Sequence, residues 1–298
     1  MANLKEVRER ISSVKNTQQI TKAMKMVSAA KLRRAQQAIV QMRPYANKLN
    51  DILRNILSNL EGDVASSFGE ERVIEKACVV VVTSNRGLCG GFNTNIIKAT
   101  SKKINEKYQG QLEAGKLDIV FIGKKGYDVL KKLYPQANHN TDYIDLFSDL
   151  SFDNVAKVSQ IFMDKFQDKS YDVIDVAYAS FKNAALQEPM CVQFLPVEKV
   201  EAEGEMDSKH NADYIFEPSM KELLDYLVPS ILQTTFQKFL LDTHASEHGA
   251  RMTAMDNATE NAQELLQELK ISYNKARQEA ITKELSEIVG GAAALESA

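Results

Sequence analysis

Residues 4–27 read LKEVRERISSVKNTQQITKAMKMV, and their apolar side chains recur at alternating spacings of three and four. The first four of these are Leu4, Val7, Ile11 and Val14. Such spacing over several heptads predicts a helix that packs in a coiled coil. The pattern pauses through residues 16–20, which predicts a slip in register, and it resumes at Met24 and Val27.

The same periodicity continues to residue 56 and returns near the end of the chain. A single proline, Pro44, predicts a bend in the first helix rather than its end. In the predicted C-terminal helix, the apolar residues that recur at heptad spacing are Ala262, Leu266, Leu269, Tyr273, Ala276 and Ala280. We therefore expect helices over residues 1–62 and 219–298, about 90 and 115 Å long. Helices of this length need each other, so we expect an antiparallel coiled coil in which the longer C-terminal helix projects.

The middle of the chain has a different pattern. Four β-branched or apolar runs alternate with amphipathic segments, at residues 78–83, 117–123, 173–178 and 190–195. Buried strands that alternate with helices predict a parallel βαβ sheet, and hence a Rossmann-like α/β domain over residues 74–198. Residues 199–217 are rich in acids and predict a solvated loop. The fold class is thus α/β plus a long coiled coil.

Composition narrows the function classes. Cys78, Cys89 and Cys191 are scattered without a CxxC pair, which argues against a zinc site or a disulfide framework. The longest apolar run, residues 77–82, is far too short to cross a bilayer, and the N-terminus has no signal-peptide pattern. We expect no direct membrane insertion and a reducing compartment.

A glycine-rich stretch, SNRGLCGGFN at residues 84–93, follows a predicted strand at the place where a phosphate loop would lie. It has neither the GK[ST] ending of a P-loop nor the GxGxxG spacing, so a structural turn is favoured. His244 and His248 are spaced like a metal pair, but HASEH lacks the zincin glutamate. We expect no catalytic centre, no metal and no cofactor.

The N-terminal helix is basic, with nine Lys or Arg against two Glu in residues 1–34. Charge alone leaves four interpretations open: a solvated helix face, a nucleic-acid surface, an anionic membrane surface and an acidic protein partner. No aromatic side chain precedes Tyr45, which disfavours nucleic acid. Polarizable Met24 and Met26 among the bases favour a changing protein contact. The small apolar C-terminus, residues 287–298, is either a fraying end or a smooth tip seated in a partner's sleeve.

Four motifs carry a family likeness: ITKAMKMVSAAKLRRAQ (20–36), SNRGLCGGFN (84–93), ASEHGARMTAM (245–255) and YNKARQEAITKELSEIVGGAAA (273–294). In this order they resemble the gamma subunits of F-type ATP synthases, over the whole chain. The acidic segment is the least similar part. The resemblance implies a bacterial-type central rotor shaft without a catalytic site of its own.

The resemblance also implies partners and contacts. These are the alpha and beta subunits, as an alpha3beta3 hexamer, the epsilon subunit and the c-ring, with no nucleic acid. The implied rotor-interface residues are Met24, Lys25, Arg33, Arg34, Arg251, Arg277, Gln278, Thr282, Glu284 and Glu287. The implied location is peripheral, on the cytoplasmic face of the bacterial inner membrane.

Two other functions stay open on the residues alone. If the chain is an enzyme that uses the glycine-rich loop, the isolated chain should bind a nucleotide. A coiled-coil adaptor for nucleic acid predicts an affinity that falls steeply with salt.

Overall fold

The structure, a computed structural model, describes residues 4–58, 68–69, 72–197 and 220–296. Its elements, in chain order, are α1 (Leu4–Ser58), β1 (Ala77–Val82), α2 (Phe92–Lys107), α3 (Gln109–Glu113), β2 (Leu117–Ile122), α4 (Lys124–Leu133), β3 (Asn138–Asn140), a 3₁₀ turn (Ile144–Ser148), α5 (Phe152–Gln167), β4 (Val173–Phe181), β5 (Gln187–Leu195) and α6 (Met220–Glu296). The acidic segment 199–217 lies outside the described residues, as do the predicted helix residues 59–62.

The chain divides into two compact units. The helical unit combines α1 up to Ser28 with α6 from Met252 onward. The mixed unit runs from Ala29 through Arg251 and contains the sheet. The architecture is the predicted one, a long coiled coil together with an inserted Rossmann-like α/β domain.

The two helices of the helical unit are antiparallel. Arg8 Nη2 donates to the Tyr273 hydroxyl at 2.9 Å, near the start of α1. Further along α1, the partner on α6 lies earlier in the chain, because Thr21 and Thr259 share a hydrogen bond of 2.8 Å. The predicted C-terminal seam is confirmed, since Ala262 is buried and the side chains that follow it at heptad spacing are at least half-buried.

The predicted slip in register at residues 16–20 is wrong. Thr21 and Ser28, seven residues apart, are both buried, whereas Val27 is exposed. Polar side chains can occupy these seam positions because their hydroxyls bond to backbone carbonyls, Ser28 Oγ to Met24 O at 2.8 Å and Thr21 Oγ1 to Gln18 O at 3.0 Å. The heptad register is therefore continuous, and only its hydrophobicity is interrupted.

Both long helices continue through proline. Pro44 lies inside α1 and Pro229 inside α6, and neither helix ends there. This agrees with the expectation that Pro44 would not stop the first helix.

The sheet of the mixed unit has the order β3-β2-β1-β4-β5. Strands β1, β2, β3 and β4 are parallel, whereas β5 is antiparallel to β4. The apolar run Ala77–Val82, which contains four valines, forms the central strand and is completely buried, because helices cover both faces. Helices α2 and α4 pack on one face; α5 and the first part of α6 pack on the other.

Two expectations about the sheet are corrected. The sheet is mixed rather than wholly parallel, because residues 182–186 are too short for a crossover and allow only a hairpin. The strand predicted over residues 190–195 begins earlier, at Gln187, so that Pro189 lies within β5, which an edge strand tolerates. Strand β3 was not predicted, because its sequence, NHN, has no apolar residue.

Gly123 fixes the turn from β2 into α4. Its φ is +96°, and a Cβ there would lie 1.9 Å from the carbonyl oxygen of Thr83 at the end of β1. Only glycine permits this approach. The turn therefore holds the start of α4 beside the glycine-rich stretch, where Lys125 N donates to Ser84 O at 3.1 Å.

Candidate functional site

A polar seam interrupts the apolar contact within the helical unit. Its three cross-helix pairs are Gln18–Gln263, Thr21–Thr259 and Lys25–Asp256. Lys25 donates directly to Asp256 Oδ1, and the two side chains are 39% and 42% exposed. The pair is therefore wet and screened by solvent, so it contributes little to stability.

Apolar side chains on the outside of α1 accompany the polar seam. Ile20, Met26 and Val27 are all exposed, and Met24 is half-buried. Beside the basic residues they form a surface that offers both dispersion contacts and charge. Arg33 and Arg34, in the mixed unit's part of α1, are exposed as well.

The last described part of α6 has no helix packed against it within the described residues. Residues 281–292 are exposed on every face. Ile281, Leu285, Ile288 and Val289 recur at i, i+4, i+7 and i+8, which places them in one stripe. Predicted interface residues Arg277, Gln278, Thr282, Glu284 and Glu287 are all exposed in the same region.

Arg251 differs from the other predicted interface residues, because it is buried. Its Nη1 donates to Glu247 Oε1 at 2.6 Å, and its Nη2 donates to Arg86 O at 3.1 Å and Gly87 O at 3.4 Å. No side-chain hydrogen bond or ion pair in the described parts of the chain joins any two of the ten predicted interface residues.

The glycine-rich loop, residues 84–91, is organised as a turn. Ser84 N and Ser84 Oγ both bond to Asn93 Oδ1 at 3.0 Å, which ties the loop to the first turn of α2. Leu88 and Gly90 both have positive φ. The carbonyls of Arg86 and Gly87 accept from a guanidinium, so this side of the loop binds a cation rather than an anion.

His244 and His248 form a buried pair whose protonation follows from its bonds. Arg251 Nη1 lies 3.4 Å from His248 Nδ1, and a guanidinium only donates, so Nδ1 accepts. His248 therefore carries its proton on Nε2, which donates to His244 Nε2 at 3.1 Å. Both imidazoles are neutral in this arrangement.

Burial keeps the pair neutral. It lowers the pKa of His244 to about 4 and that of His248 to about 3, and the charges of Arg251 and Lys31 act in the same direction. The two Nε2 atoms converge as metal ligands would, but the described residues contain no cluster of three or more metal-binding side chains.

Sequence reasoning missed three partners: Asp256, Glu247 and the loop carbonyls that bind Arg251. Asp256 could have been found, because Lys25 occupies a heptad seam position and a charge there requires a partner across the interface. None of the described helices has a stretch apolar enough to span a bilayer.

The fold and its contacts define a class: an antiparallel coiled-coil protein with an inserted Rossmann-like α/β domain. The chain matches the family model described as ATP synthase over residues 3–295. It is 52% identical over 295 residues to the ATP synthase gamma chain of Cytophaga hutchinsonii and 52% over 296 residues to that of Flavobacterium psychrophilum, with 99% of each chain covered in both comparisons. The chain belongs to the ATP synthase gamma chain family.

Solved structures agree with this fold. A chain of the OSCP/F1/c-ring part of the Euglena gracilis mitochondrial ATP synthase has a TM-score of 0.65 at 23% identity, over 99% of this chain and 95% of that one. A chain of the rotor of the same enzyme has a TM-score of 0.59 at 24% identity, over 93% and 98%.

Proposed function

We propose that this chain is the rotating central shaft of an F-type ATP synthase and catalyses no reaction itself. Proton flow turns a ring of c subunits, on which the mixed unit rides together with epsilon. The helical unit turns inside the alpha3beta3 hexamer and imposes different conformations on the three beta subunits. In the bacterial cell this assembly lies on the cytoplasmic face of the inner membrane.

The observation that carries the proposal is the exposed apolar stripe at residues 281–292. A stripe of Ile, Leu and Val on a single helix is unfavourable in water and marks a surface that a partner covers. Gly290, Gly291 and Ala292 follow Val289, the last large apolar residue of the stripe, and offer at most a methyl group, so they cannot interlock with a partner. A smooth apolar helix end suits a bearing in which it turns without being held at one angle.

The exposed charged residues supply the changing contacts. Arg33, Arg34 and Arg277 can each donate directional, charge-assisted hydrogen bonds to carboxylates of beta. Wet ion pairs are worth only about 0–1 kcal/mol each, so they can be exchanged at every step of rotation. Met24 and Lys25 contribute a contact of the same kind, together with Gln278, Thr282, Glu284 and Glu287 near the tip.

Arg251 contributes to the proposed contact indirectly. Its guanidinium is already bonded to Glu247 and to two loop carbonyls. We assign it the role of holding the glycine-rich loop against α6, so that the exposed loop residues keep a fixed position toward beta.

In coupling terms, the shaft acts as a ligand. The shaft can shift a beta subunit from one conformation to another only if the free energy of the contact differs between those two conformations. A change on the contact surface should therefore alter coupling before it alters assembly.

Reconstitution with alpha, beta and the remaining subunits tests the proposal. Met24→Lys adds a charge next to Lys25 on the half-buried edge of α1, whereas Met24→Leu conserves the apolar contact. We expect Met24→Lys to assemble and hydrolyse ATP but to pump fewer protons per ATP, and Met24→Leu to resemble the unmodified chain. Normal pumping per ATP in Met24→Lys would contradict the coupling role. Failure of the chain to enter a stoichiometric complex would refute the shaft itself.

A further inference from the structure

A cavity of about 770 Å³ lies within the mixed unit, lined by α1, the end of β4 and α6. Its volume is in the range of small-molecule sites. No sequence motif falls on it, and the proposed shaft function makes no use of it. The polar residues that matter here are Arg43, Asn47, Lys182, Lys238 and Asp242.

Asp242 is a buried carboxylate that faces this cavity. Its residue is only 7% exposed, and it forms no hydrogen bond or ion pair with any residue in the described ranges. Burial raises the pKa of Asp242, whereas Lys238, Arg43 and Lys182 act to lower it. The three cations are thus close enough to act on the carboxylate, yet none pairs with it directly. The carboxylate oxygens of Asp242 face the cavity without a donor from the described residues, so a molecule bound in the cavity can supply one.

The cavity also has an excess of positive charge. Lys182 Nζ is 3.8 Å from Glu188 Oε2 and is partly neutralised there. Among the residues that the structure describes, neither Arg43 nor Lys238 has a hydrogen-bond or ion-pair partner, and both line the cavity. Two free cations against the single carboxylate leave a net charge that attracts an anion.

The occupant must therefore accept hydrogen bonds from Arg43 and Lys238 and donate one to Asp242. A metal cation or an ammonium group satisfies only the carboxylate, and a neutral polyol leaves the excess charge uncompensated. A sulfate ion carries no proton to donate. A protonated phosphate has both features: anionic oxygens and a P–OH group.

We propose that this cavity binds a phosphate group, free or carried on a small molecule, with its anionic oxygens on Arg43 and Lys238 and its P–OH donating to Asp242. Guanidinium suits this role because its planar donors match two phosphate oxygens. Asn47 and Thr235, which also line the cavity, offer neutral groups for an attached organic part.

Equilibrium dialysis of the full-length chain against inorganic phosphate, glycerol phosphate and sulfate tests the site. We expect at least one phosphate compound to bind about tenfold more tightly than sulfate, which corresponds to about 1.4 kcal/mol. Binding of both phosphates or of one of them supports the proposal and tells whether the group is free or carried. Equal affinity for phosphate and sulfate, or no phosphate binding at millimolar concentration, overturns it.

Matched variants separate this site from general attraction to a basic surface. Asp242→Asn can donate through its amide, so we expect it to lose the preference for phosphate over sulfate. Arg43→Gln and Lys238→Gln should each weaken phosphate binding about tenfold. Lys98→Gln removes the same charge from an exposed position on α2 that does not line the cavity, and it should leave binding unchanged. If it weakens binding as much as Lys238→Gln, or if Asp242→Asn keeps the selectivity, the proposal fails. Circular dichroism checks that each variant is folded.

Discussion

Two ion pairs that involve α6 belong to different units and have different surroundings: Arg251–Glu247 lies within α6, whereas Lys25–Asp256 joins α1 to α6. In the mixed unit, Arg251 and Glu247 have side chains only 10% and 11% exposed, and the guanidinium also binds two loop carbonyls. In the helical unit, Lys25 and Asp256 are 39% and 42% exposed and lie among hydroxyl and amide pairs. The buried pair fixes a loop in place. The exposed pair joins two helices in register and contributes little to the free energy of unfolding.

This difference follows from how each unit is stabilised. The mixed unit has a continuous apolar core on both faces of its sheet, and it can enclose a charge network that is fully bonded. The helical unit has a single narrow seam, interrupted by Thr21 and Ser28, so its polar groups stay close to water. Contacts that change during the proposed rotation suit the second kind of interaction, whereas a loop that has to keep one position suits the first.

Breaking the buried pair should have the largest effect. Arg251→Met leaves Glu247 buried without its partner, and we expect the free energy of unfolding to fall by about 3–5 kcal/mol. Urea unfolding followed by circular dichroism measures this loss. Amide exchange in residues 84–91 should also accelerate, because Arg86 O and Gly87 O lose their donor.

The double variant Arg251→Met with Glu247→Gln provides the control. It removes the uncompensated charge, so much of the lost stability should return while the loop still exchanges quickly. If Arg251→Met unfolds at the same urea concentration as the unmodified chain, the buried pair does not have the role that its geometry indicates.

Acid should destabilise the mixed unit through the histidine pair. In the folded chain the pKa values of His244 and His248 are about 4 and about 3, below the ordinary 6.5 of an unfolded histidine. The unfolded chain therefore binds more protons below pH 6.5, so stability is complete above that pH and is lost as the pH falls. One imidazole accounts for about 2 kcal/mol between pH 6.5 and 5.

Urea unfolding at a series of pH values measures this dependence. The double variant His244→Asn with His248→Asn should lose most of the slope between pH 6.5 and 5. A slope that is unchanged in the double variant would assign the acid sensitivity to other groups.

The sequence predicted the helices and the seam of α6 because those elements repeat apolar residues at a regular period. Ala262 to Ala280 follow heptad spacing, and the structure confirms that seam. The same reasoning interpreted the polar stretch of α1 as a slip, because a hydrophobic pattern cannot show that a threonine hydroxyl is satisfied by a carbonyl one turn earlier.

The errors in the sheet have a similar origin. Strand β3 is stabilised by hydrogen bonds to β2, not by its own residues, so NHN gave no signal. The buried network of Arg251 depends on residues 164–165 positions away in sequence, which local patterns do not relate. The exposed tip residues, in contrast, were predicted by the family motif, and their role stays a prediction.

Breaking the exposed pair should have the smallest effect. In a double-mutant cycle with Lys25→Met and Asp256→Asn, we expect a coupling energy of roughly 0.2–1 kcal/mol, because partly exposed ion pairs are screened by water. The coupling should shrink further in high salt, which screens exposed charges more strongly than buried ones. Urea unfolding of the full-length chain at low and high salt measures both. Suppose that the coupling energy does not depend on salt and is as large as the stability that Arg251→Met loses. The polar seam would then hold the two helices rigidly together. Lys25 could then not serve as an exchangeable contact, and the distinction between the buried network of the mixed unit and the adaptable seam of the helical unit would no longer hold.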